Sequence, residues 1–289
     1  MTALTLDRTP VLALRNAWRA IASAPVTVIL SAVVLAFLLI SAIAPWLIAP
    51  GDPLKADPLA SLASPSAEHL LGTDENGRDV LTRIVHGATP SLLIGLGASA
   101  LALFAGTLLG VLAAQGGKLV DSIVMRVVEI LLAIPGLLLV LVIIAVLGKG
   151  TLNVIIGIAL FSVPGYARLV RSEILVIRQS GYVDAAVSLG IPRLQIVARH
   201  IVPNAIRPVL ILATIGIGQA ISTGATLSFL GLGPQPPAPE WGAMLASSQS
   251  YFSVAWWTAL FPGIAITLAV LSITVLGQYL QRRLDGRTA

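Results

Sequence analysis

Six stretches of this chain contain no Asp, Glu, Lys or Arg: residues 20–51, 84–117, 130–148, 150–167, 208–239 and 241–281. A helix rises about 1.5 Å per residue, so about 20 apolar residues cross the hydrocarbon core of a bilayer. Each gap is long enough for one crossing, and the spacing predicts six transmembrane helices near 25–48, 90–114, 124–147, 151–169, 207–230 and 257–280. A soluble chain of this length needs about 25% charged residues to cover its surface, whereas this one has 11%, with 56% hydrophobic residues and a mean hydropathy of +0.93. The expected class is therefore an all-α integral membrane protein.

The distribution of basic residues orients it. With six spans, one side receives Arg8, Arg15, Arg19, Lys118, Arg126, Arg168, Arg171, Arg178, Arg193, Arg199, Arg207, Arg282, Arg283 and Arg287; the other receives only Lys55, Arg78, Arg83 and Lys149. Lysine and arginine are retained on the cytoplasmic side, so both termini are expected there. The calculated pI of 10.1 thus reflects membrane orientation, not nucleic-acid binding. Ala42-Ile43-Ala44 has the form of a signal cleavage site, but the apolar run from Pro25 exceeds a signal core and Pro45 would follow the cut, so this segment reads as an uncleaved helix. Within the leader 1–24, Leu12, Leu14, Trp18 and Ile21 alternate with Arg15 and Arg19, which suits either an amphipathic helix at the inner headgroups or a solvated extension.

Three segments are too long or too polar for simple turns: the outer region 49–89, the inner region 170–206 and the outer Pro-rich region 231–256. The last two fall within a five-helix core expected over 90–285. Gly106/Gly110, Gly95/Gly97 and Gly216/Gly218 provide small helix faces for close packing. Gly148 and Gly150 flank a tight turn that makes spans three and four a hairpin. Pro135 should kink span three. Glu129 is the one carboxylate placed inside a span; Arg126, three residues earlier, offers an ion pair, the alternative being a role in gating or substrate passage.

Several chemistries are absent. Without cysteine there is no disulfide or thiolate metal site, and His69, His86 and His200 lack metal-binding spacing. A phosphate-binding loop fails at Gly117-Lys118, where Leu112 and Leu119 occupy the required glycine and hydroxyl positions, and Gly148-Lys149 fails likewise. Asp74 to Val85 departs from a calcium loop, with glycine at the fourth position and valine at the twelfth. No catalytic set is legible, so the chain is not expected to be an enzyme or to carry a cofactor.

The inner segment 182–204 has helix-forming Ala185 and Ala186 after Asp184, then Gly190-Ile191-Pro192, then an amphipathic run from Leu194 to His200 that should stop near Pro203. Two short helices joined at a glycine make a compact knob, and the small Ala185 and Ala186 should let another protein approach.

These residues resemble the "EAA" loop of membrane subunits of bacterial ATP-binding-cassette importers. Asp184-Ala185-Ala186 corresponds to E-A-A, Gly190 to its glycine, and His200-Ile201-Val202-Pro203 to its close; Asp184 replaces Glu and Val202 replaces Leu. His69-x-Leu71-Gly72-Thr73-Asp74-x-x-Gly77-Arg78-Asp79-Val80-Leu81 is similar to an outer motif of the second permease in the peptide/nickel group. So are Leu227 to Gly233, Gln235-Pro236-Pro237-x-Pro239-Glu240-Trp241-Gly242, Phe261-Pro262-Gly263 and Leu284-Asp285.

The resemblance implies a type I importer permease for dipeptides or oligopeptides, with nickel or another small solute as alternative cargo. It implies a homologous second permease, two ATPase subunits that hold ATP and magnesium, and an extracytoplasmic substrate-binding protein. Asp184, Ala185, Ala186, Gly190, Ile191, Pro192, Ile201 and Pro203 would couple to the ATPases. Gly72, Thr73, Asp74, Gly77, Arg78, Asp79, Pro236, Pro237, Glu240 and Trp241 would form an outer gate or binding-protein contact, unless they build a rigid cap. A self-contained secondary transporter or channel is the competing class; it should show broken spans with paired ionisable groups near the midplane, which only Glu129, near the inner end of its span, approaches.

Because the chain lacks cysteine, single introduced cysteines report topology directly. Positions in 55–83 and 234–242 should label from outside intact cells, and Ser188→Cys only after permeabilisation; outside labelling at 188 contradicts six spans.

Overall fold

A computed structural model describes residues 25–284; the leader at 1–24 and residues 285–289 lie outside them. Among the described residues the secondary structure is helical apart from one isolated bridge, Thr73 to Asp79. Among the described residues five helices are long and apolar enough to cross a bilayer, and a bent pair makes a sixth crossing when its two halves are counted as one span.

The first helix, α1 (Val26–Ile43), ends before a turn at Pro45–Leu47. Helix α2 (Val80–Gln115) begins ten residues earlier than expected because Asp79 caps it, accepting from Thr82 N at 2.8 Å. Its 36 residues make a rod about 54 Å long, well beyond the roughly 30 Å hydrocarbon core. One end of α2 meets a cap built from 49–79 and 231–256; the other meets a knob built from 178–201.

The expected single span 124–147 is instead two helices, α3 (Gly117–Ala133) and α4 (Gly136–Leu147), bent by 95°. Pro135 lacks an N–H and forces the preceding Ile134 out of helical dihedrals, to φ −87° and ψ 129°. The kink expected at this proline is a complete break. Helix α5 (Thr151–Ile177) follows the Gly148–Gly150 turn, where Asn153 Nδ2 donates to the carbonyls of Leu147 and Gly148 at 2.9 Å each. It runs eight residues past the expected end, with Arg171 matched to Asp121 of α3 in a two-point fork, Nη2 to Oδ2 at 2.6 Å.

Helix α6 (Gly181–Ser188) and α7 (Arg193–Ile196) form the knob. The expected stop near Pro203 does not occur. A π turn at Val197–Ile201 leads into α8 (Val202–Phe229), so the helix is continuous from Arg193 to Phe229. The wide turn, closed by Val202 N–H to Val197 O, lies just ahead of Pro203, where the regular helical hydrogen-bond pattern cannot continue because proline has no N–H. A short α9 (Trp241–Ser248) and the last span, α10 (Trp257–Leu284), complete the chain.

Helix α2 lies at the centre, packed on α5, α8 and α1. Its glycines make this possible. A Cβ on Gly106 would lie 2.5 Å from Tyr166 Cβ and 3.0 Å from Val163 O; on Gly110 it would lie 2.7 Å from Ala167 O. Gly95 and Gly97 likewise abut Ile221 of α8 and Ile155 of α5. Lipid provides no hydrophobic drive between helices, so van der Waals contact at such faces holds the bundle together. Phe104 and Leu108 on the same helix point outward, 71% and 51% exposed, as residues meeting lipid do.

A side chain at 106 should therefore open the α2–α5 contact. Gly106→Ala is expected to lower the thermal midpoint in detergent, by about 1–3 kcal/mol of stability. Gly165→Ala, where a Cβ meets nothing within 4 Å, should be neutral or slightly stabilising by helix propensity; equal effects would refute the packing role.

Candidate functional site

The cap is built around the carboxylate of Asp74, which is 6% exposed. Its Oδ1 accepts from the backbone N–H of Asn76 at 2.9 Å and of Arg78 at 3.0 Å. Its Oδ2 takes Arg78 Nε at 2.7 Å and faces Arg83 Nε at 3.3 Å. Between these residues the chain turns at Gly77, φ +70°, where a Cβ would collide with Asp57 O at 1.7 Å; the turn is closed to side chains. Asp79 bonds Thr82 Oγ1 at 2.9 Å and His69 Nδ1 at 3.1 Å while capping α2.

Two tryptophans fasten the cap to the spans. Trp257 Nε1 donates to Thr73 O at 3.0 Å, and Trp241 Nε1 donates to Ile84 O at 2.9 Å. Arg83 reaches Pro53 O at 3.1 Å and Pro237 O at 3.4 Å, tying the two outer segments together. Glu240, 1% exposed, caps α9 by accepting from Gly242 N at 3.0 Å and Ala243 N at 2.8 Å, and takes Ser91 Oγ at 3.3 Å. Burial pushes its pKa above the ordinary carboxylate value, against the two amide donors that favour the charged form.

The knob is constructed differently. Helix α6 ends in a Schellman motif: Ile191 N donates to Ala186 O at 3.2 Å and Gly190 N to Val187 O at 2.9 Å. Gly190 has φ +72°, a left-handed conformation that costs other residues about 1–2 kcal/mol. Val183, Ala186, Ile196 and Ile201 are buried against Ala114 of α2, Val170 and Ile174 of α5, and Ala205 of α8. Leu189 and Leu194 point away, 80% and 81% exposed, with Val187 beside them at 61%.

The structure thus divides the residues singled out from sequence. Asp184, Ala185 and Gly190 are exposed on the knob, with Ile191 and Pro192 at its corner. Ala186 and Ile201 face inward, so the small size of Ala186 serves contact within this chain and not with another protein. Pro203 lies in α8. In the cap, Gly72, Thr73, Asp74, Gly77, Arg78, Glu240 and Trp241 are buried and Asp79 partly so; only Pro236 and Pro237 are exposed. Asp74, Arg78, Glu240 and Trp241 spend their polar groups on backbone and on neighbouring side chains of this chain, Glu75, Arg83 and Ser91 among them. Glu129 sits 3.6 Å from Arg126 Nη1 on α3, both side chains more than half exposed. Sequence reasoning missed Arg83 and Trp257 as cap residues. Arg83 stands one turn after the capping Asp79, which is the signal that places it inside a helix near Asp74.

Residues 106–289 match the family described as binding-protein-dependent transport system inner membrane component. The chain is 42% identical over 255 residues to the dipeptide transport system permease protein DppC of Alkalihalophilus pseudofirmus, covering 88% of this chain and 84% of that one. It is 40% identical to the probable D,D-dipeptide transport system permease protein DdpC of Escherichia coli, over 91% and 88% of the two chains. The glutathione transport system permease protein GsiD of Pectobacterium atrosepticum is 42% identical, over 77% and 74%. Among solved structures, the inward-facing MetNI methionine ABC transporter superposes with TM-score 0.56 at 21% identity, over 72% of this chain and 97% of that one.

Glu240 gives the cap a pH signature. Its folded pKa is raised, so the folded chain binds its proton more tightly than the unfolded chain does. Its stabilising contribution is greatest below the ordinary glutamate value, about 4.3, and declines as pH rises through the folded value. Glu240→Ala should cost about 1–3 kcal/mol of stability through unpaired N–H groups, seen as a lower thermal midpoint, and should flatten this pH dependence. An unchanged slope would assign it to another group.

Proposed function

Because the chain belongs to the family of binding-protein-dependent transport system inner membrane components, we propose that it is a permease subunit of an ATP-driven importer of short peptides. It forms half of the translocation path, and a homologous permease supplies the rest. The relatives named for dipeptides, D,D-dipeptides and glutathione support a short-peptide cargo over nickel. A separate extracytoplasmic binding protein selects that cargo, and two ATPase subunits hold ATP and magnesium.

The observation that carries this reading is the knob. Leu189 and Leu194 are among the most exposed leucines of the described chain, yet they sit on an ordered, hydrogen-bonded corner beyond the spans. Exposed apolar side chains on a rigid polar-rimmed element mark a protein contact. Asp184 in the first turn of α6 and the small, exposed Ala185 complete a surface on which an ATPase subunit docks. Movement of the docked ATPase is passed inward through Val183, Ala186, Ile196 and Ile201 to α2, α5 and α8. At the other end the closed hydrogen-bond set of the cap favours a rigid lid over a flexible gate, with Pro236, Pro237, Leu59 and Leu70 as the surface offered to the binding protein.

Co-purification tests the reading. The wild-type chain, expressed with its partners, should retain ATPase subunits, and alone in detergent it should neither bind nor hydrolyse ATP. Leu189→Glu combined with Leu194→Glu should abolish retention and uptake while leaving the chain's abundance near normal, since neither side chain is packed. Hydrolysis by a preparation free of ATPases, or unchanged retention in the double variant, would overturn the proposal.

A further inference from the structure

The knob is joined to the bundle by two arginines that grip the same helix end. Arg178, at the end of α5, donates from Nη1 to Ala114 O at 2.8 Å. Arg193, the first residue of α7, donates from Nη2 to Gln115 O at 3.3 Å. One arginine precedes α6 and the other follows it, so both arms of the knob reach one target. Ala114 and Gln115 are the last residues of α2. Carbonyls in the last turn of a helix have no partner within it and carry the negative end of its dipole, so guanidinium donors there form charge-assisted bonds.

The far end of α2 is held in the same manner. Asp79 caps it, and Arg83 on its first turn binds the carboxylate of Asp74 and the carbonyls of Pro53 and Pro237. Between the two ends α2 is unbroken for 36 residues despite Pro90, and its glycine face is locked against α5. By contrast, the path from the knob into α8 passes through the π turn at Val197–Ile201. A π turn inside a helix often marks a functional site or hinge, so this second path is the softer one.

We propose that Arg178 and Arg193 are positioning residues that clasp the knob to α2, so that displacement of the knob is delivered along this rod to the cap. The proposal rests on the importer reading and adds to it the element that carries the signal. Knob and α2 end move as one body, and without the clasp the docked ATPase moves a corner whose displacement is absorbed at the π turn. A purely structural role for the two arginines would instead affect abundance and stability together with transport.

The test uses the complete reconstituted importer. In Arg178→Ala/Arg193→Ala, ATPase retention and basal ATP hydrolysis should persist, while uptake and the stimulation of hydrolysis by loaded binding protein fall by about tenfold or more. Arg178→Lys/Arg193→Lys should recover part of both, because an ammonium can still donate to one carbonyl. Independently, spin labels at Leu112→Cys and Ser188→Cys in the otherwise wild-type, cysteine-free chain should report one distance with and without ATP. That distribution should broaden when the arginines are removed. A nucleotide-dependent change in the wild-type distance overturns the clasp, as does coupling of the double alanine variant within about twofold of wild type. A wild-type chain that retains no ATPase overturns the importer reading and the clasp with it; coupling in both wild type and variant overturns the clasp alone.

Discussion

The close approach of α2 to α5 at Gly106 and Gly110 is the contact on which the rest of the bundle depends. In lipid, apolar side chains gain nothing by leaving the solvent, so helices associate where their backbones can come near enough for dense van der Waals contact. The two glycines allow Val163, Tyr166 and Ala167 to sit against the α2 backbone, and the same helix meets Ile221 of α8 through Gly95. A side chain at these positions would separate α2 from its neighbours along much of its length. The long rod would then lose the lateral support that lets both of its ends project past the hydrocarbon.

Those two projecting ends solve opposite problems. At the cap, charged groups lie close to the spans, where an unpaired charge is expensive, and the chain answers with a closed set: Asp74 with Arg78 and Arg83, Glu240 with the α9 amides, Trp241 and Trp257 with backbone carbonyls. At the knob, the polar ties face inward to the end of α2 while Leu189 and Leu194 remain uncovered. The buried polar groups of the cap are paired within the chain, whereas the knob leaves apolar side chains uncovered. That asymmetry suits a subunit driven from the knob side, and it is the physical content that likeness to permeases of peptide transport systems acquires in this molecule.

The bent pair α3–α4 shows how a local rule is realised in a bundle. Proline at 135 marks a defect in any helix, but a proline inside a helix need not interrupt it, as the continuous α2 at Pro90, α5 at Pro164 and α10 at Pro262 demonstrate. At Ile134-Pro135 the chain turns by 95°. Asp121 of α3 is held by Arg171 of α5, and the α4 residues Val140 and Ile144 are buried with Val154 and Ile158 of α5. The two halves are therefore anchored separately to one continuous helix, and the proline supplies the place where the direction between them can change.

The sequence by itself determined the solvent, the number of crossings and the positions of the unusual segments, because charge-free intervals and helical rise are properties of the chain alone. It also marked the joint at Gly190 and a weak point at Pro135, since backbone freedom is encoded residue by residue, although the kink expected there became a full break. It did not determine which face of each element is presented. Ala185 and Ala186 are adjacent and identical in kind, yet one is exposed and the other packs against α2 and α5. Nor did it reveal that Arg83, Arg178 and Arg193, counted from sequence as charges on two sides of a membrane, are ties to backbone carbonyls at the two ends of α2. Those assignments come from tertiary structure because carbonyls at helix ends and buried carboxylates become binding partners only when distant segments fold beside them.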